Sequence, residues 1–518
     1  MNFKIKINNI GKLKEADISV RPLTILAGPN NAGKSFFSKT LYSVFHVMSA
    51  NPVSAYMKDF LYPLQRGVML IWRGLYDRKV YIEGYIEDYV ENNIVDEDEI
   101  EQEQNELKEL NNLGKKIKAI ELAEKRLTES ISSSKDEQII RSAHPGIGEG
   151  LNKIIKLYKD LLKDKNFRKK KTDSQILDNE KHQILDEKGL EKVKSYLKDL
   201  EERESSDKSL RPEELIAKGF SKILENNLTG NFQISNLRKL KGDYMKPSFI
   251  NIGSQAKNSG DSNNPDICGV TIEDNKINLH LSLKGLDTLR DSSRVLYIES
   301  PFYWKLRNAL GKNDHFSFLP VRKSLLVPKY FDDLDIMLKD ELLGDMAFPG
   351  IFKDIIEIIK GKMAVDESGT LQFKESKGKA HSLPMTATGI VQLGFLALLI
   401  EKKILDKGTV LFIDEPETNL HPAWQVEMMK VLFKLVKAGA YVIMATHSVD
   451  MLKWLEEHLK THPKDSNLIA LNQMKINEED GTASIVDSDD NIEIKIKSIK
   501  EHLTEPFLRL FLEGQKSE

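Results

Sequence analysis

Eight consecutive residues, Gly28-Pro29-Asn30-Asn31-Ala32-Gly33-Lys34-Ser35, have the spacing G-x-x-x-x-G-K-[ST] of a phosphate cradle. The glycines let the backbone wrap an anion, with amide N–H groups and a helix N-terminus facing it. Lys34 is expected to reach β- and γ-phosphates, and the Ser35 hydroxyl to sit on Mg²⁺, with contacts running from Gly28 to Phe36. About 380 residues later Asp414-Glu415 closes another apolar run. An aspartate at such a strand tip can hold Mg²⁺ through its water shell, and Glu415 is placed to polarise an attacking water. His447, in Thr446-His447-Ser448, could donate to a γ-phosphate. A lone histidine after a strand is ordinarily a half-exposed polar residue; its order along the chain singles this one out.

The elements that must position these residues are short apolar strands. Leu23-Thr24-Ile25-Leu26-Ala27 leads into the cradle, and the following helix begins Phe36-Phe37-Ser38-Lys39-Thr40-Leu41. Thr409 to Ile413 and Tyr441 to Ala445 have the same apolar character, the pattern of central parallel strands. Before them Phe3, Ile5 and Ile7, then Ala16, Ile18 and Val20, alternate with polar residues, as strands with one buried face do, around a turn at Gly11-Lys12. Further strands are expected at Val270 to Ile272, Ile277 to Leu283, Val295 to Ile298 and Thr370 to Phe373, and a loop at Asn258 to Pro265.

Between these parts lies a helical, highly charged stretch. Leu110, Leu113, Ile117, Ile120, Leu127 and Ile131 make one stripe at 3-4 spacing; Leu151, Ile154 or Ile155, Tyr158, Leu161 and Leu162 a second; and Leu190, Val193, Leu197 and Leu200 a third. The reversal is expected at His144 to Gly148. Two architectures satisfy these stripes: an antiparallel coiled-coil arm of roughly 65 Å at 1.5 Å per residue, or a compact helical subdomain. The expected fold is α/β, a P-loop head with a mixed sheet plus this insertion. Its parts are an N-terminal lobe over 1–50, the insertion over 51–211, a C-terminal lobe over 212–460, and a tail over 461–518 with one or two strands and an amphipathic helix.

Composition narrows the partners. A chain of 518 residues is too long for one core, and a formal net charge of −3 announces no nucleic acid by itself. Arg168-Lys169-Lys170-Lys171 and Arg238 to Lys246 are basic enough to touch phosphates, so DNA contact stays open, although such runs are usually solvated faces. Cys268 is the only cysteine, which excludes an internal disulfide and fits a reducing cytoplasm. The opening residues lack a signal-peptide core, and the apolar run Ile390 to Ile400 is too short for a bilayer, so a cytoplasmic protein without membrane contact is expected.

The order of loop, long insertion, signature, Asp414-Glu415-Pro416-Glu417-Thr418-Asn419-Leu420-His421-Pro422 and Ala445-Thr446-His447-Ser448 resembles the ATPase head of the RecF/SMC branch of ABC-type ATPases. More narrowly it resembles the overcoming-lysogenization-defect class and related bacterial antiphage ATPases, of the Septu or PARIS kind. The resemblance covers residues 1–50 and 215–460. It implies ATP with Mg²⁺, held by Ser35 and Asp414; Glu415 and His447 as the hydrolytic residues; and a dimer in which one head's signature caps the ATP of the other. By position that signature is Leu383 to Ile390. It departs from the family's Ser-Gly-Gly, keeping Thr386, Thr388 and Gly389, which puts the hydrolysis rate in question more than ATP binding.

The family's usual glutamine has three candidates, Gln65, Gln233 and Gln255. Some relatives carry a Toprim nuclease domain; the residues after His458 are too few for one, and Asp487-Ser488-Asp489-Asp490 reads as a solvated turn. A separate effector, nuclease or toxin, is therefore expected. The leading expectation is an ATPase that senses or scaffolds in antiphage defence. The alternatives are a DNA-repair or chromosome-maintenance clamp and a non-hydrolysing module that ATP merely dimerises.

Overall fold

The computed structural model describes residues 2–49, 52–91, 97–132, 152–163, 187–207, 212–243, 245–254, 267–281, 294–311, 327–339, 345–366, 369–477, 479–486 and 491–515. The chain opens with strands β1 (Phe3–Ile10), β2 (Leu13–Val20) and β3 (Leu23–Ala27), then helix α1 (Lys34–Ser49). Helices α2 (Pro52–Glu91), α3 (Glu97–Ser132), α4 (Glu187–Asp207) and α5 (Pro212–Asn231) follow. Next come β4 (Ser248–Ser254), β5 (Cys268–Glu273), β6 (Lys276–Leu281) and β7 (Val295–Ile298), then α6 (Pro301–Gly311), α7 (Lys329–Lys339) and α8 (Pro349–Ile359). Strands β8 (Gly361–Val365), β9 (Leu371–Glu375) and β10 (Ala380–Ser382) lead to α9 (Thr388–Glu401). The chain continues through β11 (Val410–Asp414), α10 (Pro422–Lys437), β12 (Tyr441–Thr446), α11 (Val449–Thr461), β13 (Ile469–Ile476), β14 (Ala483–Val486) and α12 (Ile492–Gln515).

Two units emerge: Met1–Ala50 with Ser221–Glu518, and Asn51–Phe220. In the first, eleven strands form one sheet in the order β6-β5-β4-β1-β2-β14-β13-β3-β12-β11-β7. Its β13, β3, β12, β11 and β7 portion is parallel, while β6, β5, β4, β1 and β2 pair antiparallel. This is the mixed α/β architecture expected. Residue burial follows the sequence logic. Every residue of β3 and β11 is buried, as central parallel strands require, whereas β1 alternates buried and exposed. The stretch after residue 460 supplies β13 and β14, which join β3 to β2 inside that sheet. The apolar run in α9 is a core helix; Val391 and the residues from Leu393 to Ile400 are buried against α8 and β8. No helix among the described residues is long and apolar enough to cross a membrane.

The second unit closes around its own apolar core. Val68, Ile71, Leu75 and Ile82 of α2 meet Leu110, Leu113, Ile117 and Ile120 of α3. Ile154, Tyr158 and Leu161 of a helical segment over 152–162, and Val193 and Leu197 of α4, join the same core. Side chains from four helical segments thus share one apolar centre. The reversal expected at 144–148, the basic run 168–171 and the loop 258–265 lie outside the described residues, as does 487–490.

Candidate functional site

Strand register brings the chemistry to one edge. Ala27 pairs with Thr446, Leu26 with Ala445, and Ala445 in turn with Asp414, so β3, β12 and β11 end level with one another. The cradle, Asp414-Glu415 and His447 therefore leave the sheet side by side, although some 380 residues separate them in sequence. Around them lies a cavity of about 500 Å³, lined by Asn30, Asn31, Lys34, Ser35, Glu415 and His447 among others. Its far side is formed by Phe36, Phe232 and the β1–β2 turn at Gly11 and Lys12.

The loop's path depends on close approach. A Cβ on Gly28 would lie 2.4 Å from the Met474 carbonyl oxygen of β13, so only glycine lets β3 turn into the cradle here. Gly33 and Asn31 sit at positive φ, +83° and +67°. Lys34 is buried and donates to the carbonyls of Gly28 at 3.0 Å and Pro29 at 2.8 Å. Burial pulls its ammonium down to about 8, against the opposing carboxylates of Glu415, Asp414 and Glu417. The turn at Gly11 is braced from behind: its N–H donates to the Leu240 carbonyl at 2.6 Å, and the Asn9 amide binds the carbonyls of Asp243, Lys246 and Pro247. The basic stretch 238–246 is thus a buttress for this turn, with Arg238 3.5 Å from Asp274 and Lys246 3.5 Å from Asp243.

Asp414 is only 5% exposed, and its Oδ1 has no hydrogen-bond partner. Oδ2 accepts a long 3.4 Å bond from the Tyr297 hydroxyl. Burial pushes its carboxyl up to about 6; the Ser35 hydroxyl and Lys39 act against that, Glu299 and Glu415 with it. A buried carboxylate oxygen left bare beside a serine hydroxyl is a donor set that fits a hard divalent cation such as Mg²⁺. Glu415 holds φ at +48°, a left-handed backbone that a β-carbon disfavours, fixed by its N–H donating to the Ala445 carbonyl at 2.9 Å. Its Oε2 accepts from Thr418 at 3.2 Å, and its Oε1 lies 3.6 Å from His447 Nε2. Burial and then Lys34 lower the His447 pKa, while Glu415 works against them. Burial and Lys34 both favour the neutral imidazole. Its backbone N–H donates to Glu417 at 2.5 Å, and burial raises the pKa of that glutamate.

Thr386, Thr388 and Gly389 are not among the residues lining the cavity. The Thr386 hydroxyl donates to the Ser382 carbonyl at 3.0 Å, and its own carbonyl accepts from Lys305 at 2.6 Å. Gly389 packs under Leu420, where a Cβ would come within 2.8 Å, so this segment touches the one that follows Asp414-Glu415. Gln65 lies in the helical unit, Gln233 follows Phe232 at φ +53°, and Gln255 is outside the described residues. A different glutamine, Gln392, reaches this region: its buried amide donates to the Pro416 carbonyl at 2.9 Å.

Sequence reasoning passed over Glu299, Lys39, Glu417 and Phe232. Ile298 pairs with Ile413, which puts Glu299 beside Asp414, and Lys39 lines the cavity. An acid directly after the apolar strand Val295–Ile298 carries the same signal that singled out Asp414. Lys39, five residues past Lys34 on a helix, and Phe232, at a helix end, carry no comparable signal.

A family model described as AAA ATPase domain matches residues 1–452. Over 115 residues the chain is 30% identical to Endonuclease GajA of Bacillus cereus strain VD045, a stretch that covers 22% of this chain and 17% of that protein. It is 26% identical over 132 residues to the Cell division ATP-binding protein FtsE of Bacillus subtilis strain 168, covering 25% of this chain and 54% of that protein. The matches thus span about half or less of these relatives' length. Among solved structures, an SMC head domain with a coiled coil and joint from Pyrococcus yayanosii aligns over 96% of this chain and 98% of its own, at 12% identity and a TM-score of 0.30. The SMC head domain from Thermotoga maritima covers 53% of this chain and 87% of its own, at 11% identity and a TM-score of 0.27.

Proposed function

Because this chain belongs to the AAA ATPase domain family, matched over residues 1–452, we propose that it binds ATP with Mg²⁺ and hydrolyses it to ADP and phosphate. One observation carries this reading: cradle residues and the strained Glu415 line one cavity, and the bare buried oxygen of Asp414 stands one residue before Glu415, at the tip of β11. Lys34 and the cradle's amides hold the β- and γ-phosphates, and the site orients the chain of phosphates toward Glu415. Ser35 and Asp414 would hold Mg²⁺, which when bound draws charge from the phosphate oxygens. Glu415 accepts a proton from water as that water's oxygen forms a bond to the γ-phosphorus and the bond to the β–γ bridging oxygen breaks. His447, 3.6 Å from Glu415, offers a ring N–H to a γ-phosphate oxygen. Expected on substitution: Glu415→Gln retains ATP but releases phosphate about 100-fold more slowly, the scale of a lost general base. Equal turnover by variant and parent removes Glu415 from this role.

The signature residues Thr386, Thr388 and Gly389 are off the chain's own cavity, which favours a head-to-head dimer in which they cap the partner's nucleotide. The motif order, which resembles that of antiphage ATPases, favours a place in defence in which the ATP-bound dimer holds a separate nuclease or toxin effector, and the similarity to GajA, a protein named as an endonuclease, fits a nuclease in that role. Infection of cells carrying this gene with its neighbouring reading frame tests it. Protection lost with Lys34→Ala and kept by the parent is expected; protection indifferent to Lys34→Ala sinks the defence role.

A further inference from the structure

The mechanism above uses Asp414, Glu415 and His447 and leaves two charged groups of the same edge without a task. Glu299 follows β7, and the pairing of Ile298 with Ile413 sets it level with Asp414 on the neighbouring strand. One of its carboxylate oxygens takes the Lys39 ammonium at 2.5 Å, and the other accepts from the Tyr330 hydroxyl. Tyr330 itself is fixed: its backbone N–H donates to Asn231 at 2.9 Å, and its ring lies 4.6 Å from that of Tyr297, which donates to Asp414. Glu299 is therefore held by two partners, Lys39 and Tyr330, in a frame that through Tyr297 also touches Asp414.

Two carboxylates at adjacent strand tips repel each other and attract any cation between them. An ion pair serving stability alone would share its ammonium and leave neither carboxylate bare. Here the ammonium of Lys39 is engaged by Glu299, while Asp414, 5% exposed, keeps Oδ1 without a partner. Lys39 also lines the cavity with Lys34 and Ser35, and its charge acts on Asp414 as well as on Glu299. We propose that Glu299 is a positioning residue of the divalent-cation site, adding a second negative charge to that of Asp414, and that Lys39 is a built-in counter-ion which competes with the cation for that charge. This rests on the nucleotide reading above and deepens it. The pair then sets how much Mg²⁺ the site needs before nucleotide is held.

The test is the Mg²⁺ concentration at half-maximal binding of a fluorescent ATP analogue to the full chain, with thermal unfolding as a check on folding. Glu299→Gln removes the charge and keeps an oxygen for Tyr330; the Mg²⁺ midpoint rises about tenfold, the scale of one charge interaction worth a pKa unit. Lys39→Met removes the competitor and lowers the midpoint several-fold. The double variant Lys39→Met/Glu299→Gln returns to between the two single variants. A purely structural ion pair predicts something else: both single variants shift the midpoint in the same direction, or Glu299→Gln leaves it within twofold of the parent. Either result overturns the proposal. A parent that takes up no nucleotide at any Mg²⁺ concentration overturns the nucleotide reading itself, a failure plainly separate from that of the variants.

Discussion

Arg78 in the helical unit and Asp414 in the head are both charged side chains removed from water, and the chain treats them in opposite ways. Arg78, 3% exposed, is gripped by Glu106 in two parallel bonds, Nε to Oε1 and Nη2 to Oε2, both 3.0 Å, with Glu103 at 3.7 Å. That fork satisfies the guanidinium and ties α2 to α3. Asp414 has, beyond the Ser35 hydroxyl, one long bond and one bare oxygen, and Lys34 donates to the loop carbonyls of Gly28 and Pro29. Burial therefore shifts both ionisations of the head, Asp414 upward and Lys34 downward. A charge buried with its partners holds a fold together. A charge buried without them waits for a ligand, and the fold bears the cost.

The contrast breaks first at Lys34. Lys34→Ala should weaken nucleotide binding at least about 100-fold, since a charge-assisted contact to phosphate is lost, while the unfolding midpoint holds or rises. Titration of a fluorescent ATP analogue and thermal melts measure the two effects. Arg78→Met should do the reverse. Removing one member of a buried pair costs about 3 kcal/mol or somewhat less here, because Glu103 and Glu106 are 16% and 20% exposed at their side chains and regain some water. Nucleotide affinity should stay within about twofold of the parent, as a side chain outside the site implies. Loss of nucleotide binding by folded Arg78→Met would erase the distinction between the two kinds of buried charge.

How far the sequence disclosed this difference depends on how local each signal was. The cradle was legible because eight contiguous residues, an apolar strand before and a helix after all agree. Strands β11 and β12 were legible from apolar runs, and the stripe Leu110, Leu113, Ile117 and Ile120 from its spacing; all four are buried in the helical core. Strand β4, Ser248–Ser254, was passed over because Asn251, Gly253 and Ser254 dilute its alternation, and its place against β1 is decided by pairing across some 240 residues. Glu299, an acid directly after an apolar strand, did carry a local signal, but its partner did not show. Nothing beside it in the chain says that it will stand next to Asp414, because that neighbour is chosen by the β7–β11 register. Arg78 could not be told from any other arginine of a charged helix until Glu106 was folded against it.

The smallest effect is also the most discriminating. In the unfolded chain Asp414 has its ordinary carboxyl pKa of 3.8, and in the folded protein burial raises it to about 6. The folded state thus binds that proton more tightly. Above pH 6 the ionised group costs stability, and the cost fades as pH falls from 6 and is gone only below about 3.8, where both states are protonated. A shift of that size corresponds to roughly 1–3 kcal/mol after allowance for relaxation. Asp414→Asn removes the charge and keeps the shape, so in the absence of ligand at pH 7.5 it should unfold later than the parent by about that amount, with the gap closing near pH 4. The same substitution should abolish the Mg²⁺ dependence of nucleotide binding, since the bare oxygen becomes a neutral amide. Urea unfolding at pH 7.5, 6 and 4.5, followed by circular dichroism, reads the first effect. If Asp414→Asn is instead less stable than the parent at pH 7.5, the aspartate is paid for by contacts of its own, and its kinship is with Arg78.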